Sequence, residues 1–260
     1  MSEYVLITGA SGGIGLELAR IAAANQMNLV LLARNAEKMK QLRKELEKLY
    51  PIHVLAIGCD LMQPDTVEKV AALLNGRGIV PDILINNAGF GMYGSFDRIG
   101  AETEGDMIQV NITSLTELTK IIYRQMCSRG KGKILNVSSI AGFMPGPGMT
   151  VYHASKAYVL SFSEALAVEA KSHGITVTAL CPGPTATNFE NRASNGAGIK
   201  LFQKFGKLPT AEQVAKYGWK KMMKGKTVAI HGKKNRCLLF LIRFLPRKAV
   251  TFITGKIYTS

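Results

Sequence analysis

Tyr152 and Lys156 have the side-chain types and the spacing needed for proton transfer. Residues four positions apart lie on one face of a helix, so the ammonium group of the lysine can lie near the phenol. A nearby cation favours the phenolate and lowers a tyrosine pKa from its usual value of about 10 toward neutrality. The pair therefore predicts a general acid/base at Tyr152.

A glycine-rich segment follows the first apolar run of the chain, with the spacing Gly9-xxx-Gly13-x-Gly15. Such a loop between a strand and a helix lets the backbone approach a pyrophosphate, and the helix N-terminus supplies amide donors. The spacing differs from the common GxGxxG pattern, and glycines needed only for the turn would look the same. Its position at the first strand–helix junction favours dinucleotide binding.

The end of the second apolar run reads Ala33-Arg34-Asn35, and the first carboxylate after it is Glu37. In NAD-binding proteins an acidic residue about 20 positions after the glycines holds the ribose 2′-hydroxyl. An arginine in its place suits a 2′-phosphate, because guanidinium groups make charge-assisted, bidentate contacts with phosphate oxygens. The sequence therefore predicts NADP(H) as cofactor, although an arginine that merely ends a surface strand would give the same pattern.

Apolar runs alternating with helical patterns must position these residues. We expect long helices over Gly105–Arg129 and Tyr152–Ser172. Strands buried on both faces, alternating with helices, are typical of a parallel sheet with right-handed crossovers. The predicted fold class is α/β, a doubly wound parallel sheet with helices on both faces (a Rossmann fold), in one domain over residues 1–260. The expected strands are Val5–Ile7, Leu29–Ala33, Val54–Ile57, Ile83–Ile85, Lys133–Val137, Thr176–Leu180 and Val228–Ile230.

From its first strand to about Phe189 the chain resembles the short-chain dehydrogenase/reductase family. Besides the glycine loop and the Tyr152–Lys156 segment, four motifs carry the resemblance, and Asn111 falls where the family places an asparagine of its proton relay. The segment 141–148 and the overall ending are most similar to a bacterial, NADP(H)-dependent subgroup of poorly defined substrate. The four motifs are Cys59-Asp60-Leu61, Asn86-Asn87-Ala88-Gly89, Asn136-Val137-Ser138-Ser139, and Pro182-Gly183 followed by Thr187.

The resemblance implies an NADPH-dependent reduction of a carbonyl group. Ser139, 13 residues before Tyr152 as is usual in the family, would hydrogen-bond the carbonyl oxygen. Tyr152 would donate the proton, while Lys156 holds the nicotinamide ribose and, with Asn111, anchors a water path for reprotonation. The implied cofactor-binding residues are Gly9, Ser11, Gly13, Ile14, Gly15, Arg34, Asp60, Asn87, Ala88, Gly89, Tyr152, Lys156, Pro182, Gly183 and Thr187.

Apolar side chains after the predicted strands, and a segment over residues 188–210, indicate a small apolar substrate such as a ketone or acyl ketone. An assignment of the same side chains to the core or to an interface is an equal alternative. Two rival functions are an epimerase or dehydratase acting on a nucleotide-linked sugar, and a dinucleotide-sensing protein without turnover. The candidate lining residues are Phe90, Met92, Tyr93, Phe143, Met149, Phe189, Phe202 and Phe205.

The net charge of +15 is concentrated in the C-terminal tail, residues 213–260. This tail holds 12 of the 33 Lys and Arg residues and no acidic residue, so the rest of the chain carries 21 basic against 18 acidic residues. A nearly neutral body argues against nucleic acid as a partner. The apolar and basic segment 237–248 is too short to span a bilayer. We expect it to pack on the domain or on a partner subunit, with peripheral membrane contact as the alternative.

The four cysteines, Cys59, Cys127, Cys181 and Cys237, are scattered without a CxxC pair. This pattern favours a reducing compartment over a disulfide framework, and the early first strand leaves no room for a signal peptide. We therefore expect a cytoplasmic protein. The histidines share no ligand spacing, so no metal site is predicted. A homodimer or homotetramer is expected from the resemblance.

Overall fold

Seven parallel strands form one sheet in the order β3-β2-β1-β4-β5-β6-β7. The computed structural model describes residues 3–194 and 206–259, so the predicted substrate-lining residues Phe202 and Phe205 lie outside the described part. The strands are β1 (Tyr4–Thr8), β2 (Asn28–Ala33), β3 (Val54–Gly58), β4 (Ile83–Asn86), β5 (Gly132–Val137), β6 (Ile175–Cys181) and β7 (Val228–Ile230).

Helices cover both faces of this sheet, as the α/β prediction requires. Two large buried clusters lie between helices and strands, one on each face, and a third, small cluster surrounds Leu160. The first contains side chains of α1, α2 and α8, and the second those of α3, α5 and α6. The helices are α1 (Gly13–Ala24), α2 (Ala36–Leu49), α3 (Thr66–Gly76), α4 (Ala101–Ile108), α5 (Leu115–Arg129), α6 (Thr150–Ala170), α7 (Phe189–Ala193), α8 (Ala211–Met223), α9 (Lys233–Ile242) and α10 (Arg247–Thr259).

The chain order reverses between β1 and β4, which are neighbours in the sheet. In open α/β sheets, ligands bind at such a switch point, beyond the carboxyl ends of the strands. The segments that follow β1, β4, β5 and β6 carry most of the residues singled out in the sequence. The fold therefore brings four segments that are distant in sequence to one edge of the sheet.

The predicted long helix before Arg129 is interrupted by a π-helical turn over Gln109–Ser114, between α4 and α5. Single π-turns within α-helices are rare, and they occur frequently at functional sites. Asn111, which the resemblance assigns to the proton relay, lies in this turn. Residue types alone did not predict the interruption.

The tail contains most of α8, all of β7, and α9 and α10, and its last two helices pack along the carboxyl edge of the sheet. Leu239, Val250 and Thr254 are buried, and Thr254 Oγ1 donates a hydrogen bond to the carbonyl oxygen of Pro145 at 2.8 Å. Other large apolar side chains of the two helices stay exposed. None of the described helices is long and apolar enough to cross a membrane.

Candidate active site

The glycine loop is held tightly against the segment that follows β4. Gly9 has a φ of +68°, and a Cβ placed there would lie 2.8 Å from Asn87 Nδ2 and 2.9 Å from Ala88 Cα. Both the backbone conformation and the space therefore require glycine at this position. A Cβ at Gly15 would collide with the Gly9 carbonyl oxygen. Gly15 does not line the cleft, and its part is to let α1 pack close beneath the loop.

Thr8 and Asn87 join the two segments by hydrogen bonds. Thr8 Oγ1 accepts from the backbone N–H groups of Asn87 at 3.0 Å and Ala88 at 2.9 Å. Asn87 Nδ2 in turn donates to the carbonyl oxygens of Thr8 at 3.0 Å and Gly9 at 3.1 Å. These bonds fix a bare backbone surface, with no bulky side chain, at the switch point of the sheet. Such a surface fits the diphosphate of a dinucleotide.

Two cations line the far end of the cleft. Arg34 directly follows β2, and Lys38 lies in the first turn of α2. Asn35 caps this helix, because its Oδ1 accepts from the backbone N–H of Lys38 at 2.9 Å. Asp60 lines the same end and accepts a hydrogen bond from the Met62 backbone. The pair of cations suits a phosphate group, and Lys38 is a residue that the sequence analysis missed.

Tyr152 and Lys156 lie in the first two turns of α6, on the wall of the cleft. The Lys156 side chain is buried, and its Nζ donates to the carbonyl oxygen of Val137 at 2.9 Å. The same Nζ lies 5.8 Å from the centroid of the Tyr152 ring. Burial lowers the pKa of Lys156 to about 8. The structure thus brings the predicted phenol and ammonium together.

Ser139 also lines the cleft, at the end of β5. Its Oγ accepts from the Ala141 backbone N–H at 3.1 Å and lies 3.4 Å from the Pro182 carbonyl oxygen. The neighbouring Ser138 donates to the carbonyl oxygen of Lys156 at 2.8 Å, which holds α6 against the strand end. Both serines line the cleft, and they differ in that the Ser138 hydroxyl makes the shorter hydrogen bond to a carbonyl oxygen.

Asn111 lies behind the wall of the cleft instead of on it. Its Nδ2 donates to the Phe90 carbonyl oxygen at 2.9 Å and to Ser155 Oγ at 3.0 Å, and its Oδ1 accepts from the Phe90 N–H at 3.1 Å. A Cβ at Gly89 would lie 2.9 Å from Asn111 Oδ1 and 3.3 Å from Lys156 Nζ. The space that a Cβ would fill at Gly89 therefore borders both the amide oxygen of Asn111 and the ammonium of Lys156.

The loop after β6 closes the other side of the cleft. Pro182, Gly183 and Thr187 all line it. The Pro182 carbonyl oxygen accepts from the Ile140 N–H at 2.9 Å, and Thr187 Oγ1 accepts from the Phe189 N–H at 3.3 Å. A Cβ at Gly183 would lie 2.6 Å from Asn235 Nδ2. Helix α9 of the tail is thus in direct contact with this loop.

The resulting cleft has a volume of about 500 Å³. All of the cofactor-binding residues implied by the resemblance line it except Gly15. Phe90, Met149 and Phe189 line it as expected, and the Phe189 ring centroid lies 5.3 Å from that of Tyr152. Met92, Tyr93 and Phe143, for which packing in the core or at an interface was the equal alternative, do not line it, and Phe143 packs against a small cluster around Leu160.

Many residues that line the cleft were not assigned to it from the sequence, and six of them are named below. His153 is one of them; it is buried, its Nδ1 donates to the Met144 carbonyl oxygen at 2.8 Å, and burial lowers its pKa. Its position inside the Tyr152–Lys156 motif and the spacing of Lys38 from Arg34 were available signals, whereas nothing pointed to the residues of the tail. The six are Lys38, Met144, His153, Arg192, Leu238 and Thr254. Across residues 3–194 and 206–259, no group of three His, Cys, Asp or Glu side chains is arranged to hold a metal ion.

Comparison with known proteins places these motifs in context. Residues 3–198 match the family model described as short chain dehydrogenase. A very-long-chain 3-oxoacyl-CoA reductase-A of Danio rerio is 35% identical over 72% of this chain and 59% of its own length. The chain thus spans only about three fifths of that relative.

Two solved structures cover nearly the whole chain. A short-chain dehydrogenase from Sphingobium yanoikuyae, in complex with NADPH, has a TM-score of 0.82 and 32% identity over 93% of both chains. The bulky-bulky ketone specific alcohol dehydrogenase from Comamonas testosteroni has a TM-score of 0.78 and 30% identity, over 93% of this chain and 92% of its own.

Proposed function

This chain belongs to the short-chain dehydrogenase/reductase family of oxidoreductases, and on that premise we propose that it uses NADPH to reduce an apolar ketone or acyl ketone to an alcohol. One observation carries the proposal. The buried ammonium of Lys156 lies 5.8 Å from the Tyr152 ring centroid, at a cleft whose opposite end holds two cations. The proposed proton donor, Tyr152, and the residues assigned to the dinucleotide therefore line one cavity.

The proposed mechanism assigns one task to each side chain. NADPH, when bound, supplies the hydride that the carbonyl carbon receives. Ser139 Oγ donates a hydrogen bond to the carbonyl oxygen, which orients the substrate and stabilises the developing negative charge. Tyr152 gives its proton to that oxygen, and Lys156 stabilises the phenolate that is left. Water reaching Lys156 past Gly89, on the side held by Asn111, returns the proton.

The lining of the cleft supports the proposed substrate class. Phe90, Met149, Phe189 and Leu238 offer apolar surface in the cleft that Tyr152 also lines, and Phe189 packs against the Tyr152 ring. A relative named as an oxoacyl-CoA reductase and a structural neighbour named for bulky ketones support a carbonyl with large apolar substituents. A homodimer or homotetramer in the cytoplasm completes the proposal, and sedimentation velocity measures the oligomeric state.

A screen of NADPH oxidation against ketones and β-ketoacyl esters tests this function. We expect turnover with at least one apolar member and none with its alcohol, because the reaction consumes a carbonyl. NADPH binding without turnover on any member would contradict the proposal and favour the dinucleotide-sensing alternative. Ser139→Ala is the control, since it should reduce turnover on the active member while leaving NADPH binding intact.

We expect the protein to bind NADPH at least about tenfold more tightly than NADH, a difference of about 1.4 kcal/mol. The reason is that the Arg34 and Lys38 side chains line the end of the cleft where a ribose phosphate fits. Arg34→Ala should narrow the preference to near equality, measured by fluorescence titration of both cofactors. Lys44 is an exposed cation of α2, the helix that carries Lys38, and it does not line the cleft. The control Lys44→Ala should therefore leave the preference for NADPH unchanged. Equal affinities in the wild type would refute the assignment of NADP(H).

A further inference from the structure

Large apolar side chains are exposed along the two helices of the tail. Fourteen large hydrophobic residues are exposed in the described chain, and seven of them lie within the 16 residues from 238 to 253. Their exposed fractions range from 42% to 73%, although the same helices bury Leu239 and Val250. A concentration of this kind marks an interaction surface. The seven are Leu238, Phe240, Leu241, Phe244, Leu245, Phe252 and Ile253.

Basic residues surround these apolar side chains. Seven exposed Lys and Arg residues lie between 233 and 256, and the whole tail has no acidic residue. Charge complementarity therefore calls for an anionic occupant. A second copy of the same face would bring seven positive charges against seven more, which opposes pairing of the two faces. The seven are Lys233, Lys234, Arg236, Arg243, Arg247, Lys248 and Lys256.

This surface, which we name the α9–α10 face, is continuous with the substrate cleft. Leu238 is exposed on the face and also lines the cleft. Thr254 lines the cleft from α10 and is bonded to Pro145, and Asn235 of α9 lies against Gly183. An apolar molecule that moves from the α9–α10 face past Leu238 would therefore enter the cleft directly.

We propose that the α9–α10 face docks on an anionic lipid bilayer, with its Phe and Leu side chains in the interface and the cleft opening beside the lipid. Amphipathic helices with basic and aromatic residues bind in this way without spanning the membrane. An acidic protein would satisfy the charge, but a set of apolar side chains spread over two short helices and the turn between them offers no pocket for one. Entry of an apolar carbonyl substrate from the bilayer is the functional consequence, and this second part rests on the proposed function.

Sedimentation of the full-length protein with vesicles tests the docking. The vesicles contain phosphatidylglycerol and phosphatidylcholine, or phosphatidylcholine alone. We expect binding to the anionic vesicles at low salt, decreasing as salt is raised, because each basic residue near the surface strengthens binding about fivefold and salt screens this attraction beyond roughly 8 Å. A protein that stays in the supernatant with anionic vesicles at low salt overturns the proposal.

Paired substitutions distinguish insertion from charge attraction alone. Phe240→Ser combined with Phe244→Ser keeps every basic residue and should weaken vesicle binding by at least about tenfold. Phe96→Ser removes an equally exposed ring outside the tail and should bind like the wild type. Unchanged binding of the double variant, or an equal loss in the Phe96 variant, contradicts the proposal. So does a change in oligomeric state of the double variant without lipid, because the face would then join two copies.

Turnover assays with two kinds of substrate distinguish a failure of the docking proposal from a failure of the proposed function. With a carbonyl substrate dissolved in vesicles, the double variant should be slower than the wild type, whereas the two should match with a water-soluble ketone. Equal rates in vesicles would overturn substrate entry from the bilayer. If no ketone is reduced in any assay, the proposed function fails, and vesicle sedimentation still decides the docking.

Discussion

Tyr152→Phe should lower kcat for carbonyl reduction by about 10² to 10⁴, the contribution typical of a general acid. The substitution removes only the hydroxyl group that gives its proton to the substrate. The ring remains to pack against Phe189, whose centroid lies 5.3 Å away. We therefore expect the melting temperature and the Kd for NADPH to stay near wild-type values. Steady-state kinetics on the best substrate of the screen measures the loss.

Tyr158→Phe is the matched control for this substitution. Tyr158 lies in the same helix, is exposed, and shares a hydrogen bond of 2.9 Å with Thr116 Oγ1 outside the cleft. Its loss should leave kcat unchanged. If the Tyr152 variant folds, binds NADPH and retains near-full turnover, the phenol is not the proton donor and another group must be sought.

Lys156→Met should have opposite effects on activity and on stability. Turnover should fall by at least about 10²-fold, because no cation remains to stabilise the Tyr152 phenolate. Stability should rise by roughly 1 to 2 kcal/mol at neutral pH. Burial lowers the lysine pKa from 10.5 to about 8, which corresponds to a cost on the order of 3 kcal/mol for the charged form. Loss of the hydrogen bond to Val137 offsets about 1 kcal/mol of the gain.

The pH dependence of this stability difference is a check on its cause. Between pH 8 and 10.5 the unfolded chain keeps a proton on Lys156 that the folded protein has released, so the unfolding free energy of the wild type rises with pH in this window. The advantage of Lys156→Met should therefore be largest below pH 8 and shrink toward pH 10.5. Denaturant titrations at pH 7 and pH 10 compare the two. A difference that does not change with pH would mean that packing, and not the buried charge, sets the stability.

The sequence predicted the parts of the site that follow directly from strand ends. Gly9, Asn87, Ser139 and Pro182 each come just after a buried strand, and parallel strands end at the same edge of a sheet. Knowing the fold class was therefore enough to bring these residues together. Lys156 followed from Tyr152 by the spacing of a helix.

The parts that were missed depend on packing between segments that no local pattern links. Leu238 and Thr254 reach the cleft because the tail folds back over the loop after β6, and only the tertiary structure specifies this return. Phe143 was a candidate for the cleft lining, but it ends a 3-10 turn over Ile140–Phe143 and packs near Leu160 instead. The π-helical turn at Asn111 was also missed, and the Asn111 side chain there is bonded to Phe90 and Ser155, which are distant in sequence. In each case, tertiary contacts determine a placement that the residue types alone do not specify.

The two halves of the cleft come from opposite ends of the chain, and this has a consequence for biosynthesis. The residues assigned to the adenosine and diphosphate lie within 9–89 and those assigned to the nicotinamide end within 152–187, whereas the substrate side is completed by Leu238 and Thr254. At ribosomal speeds of about 5 to 20 residues per second, Thr254 is added roughly 12 to 50 seconds after Gly9. The four strands β1 to β4 are neighbours in the sheet. A nascent chain can therefore pair these strands and form the adenosine and diphosphate part of the cofactor site before the residues that complete the substrate side are synthesised. A cofactor bound by the nascent chain would thus occupy a site that cannot yet catalyse the reaction.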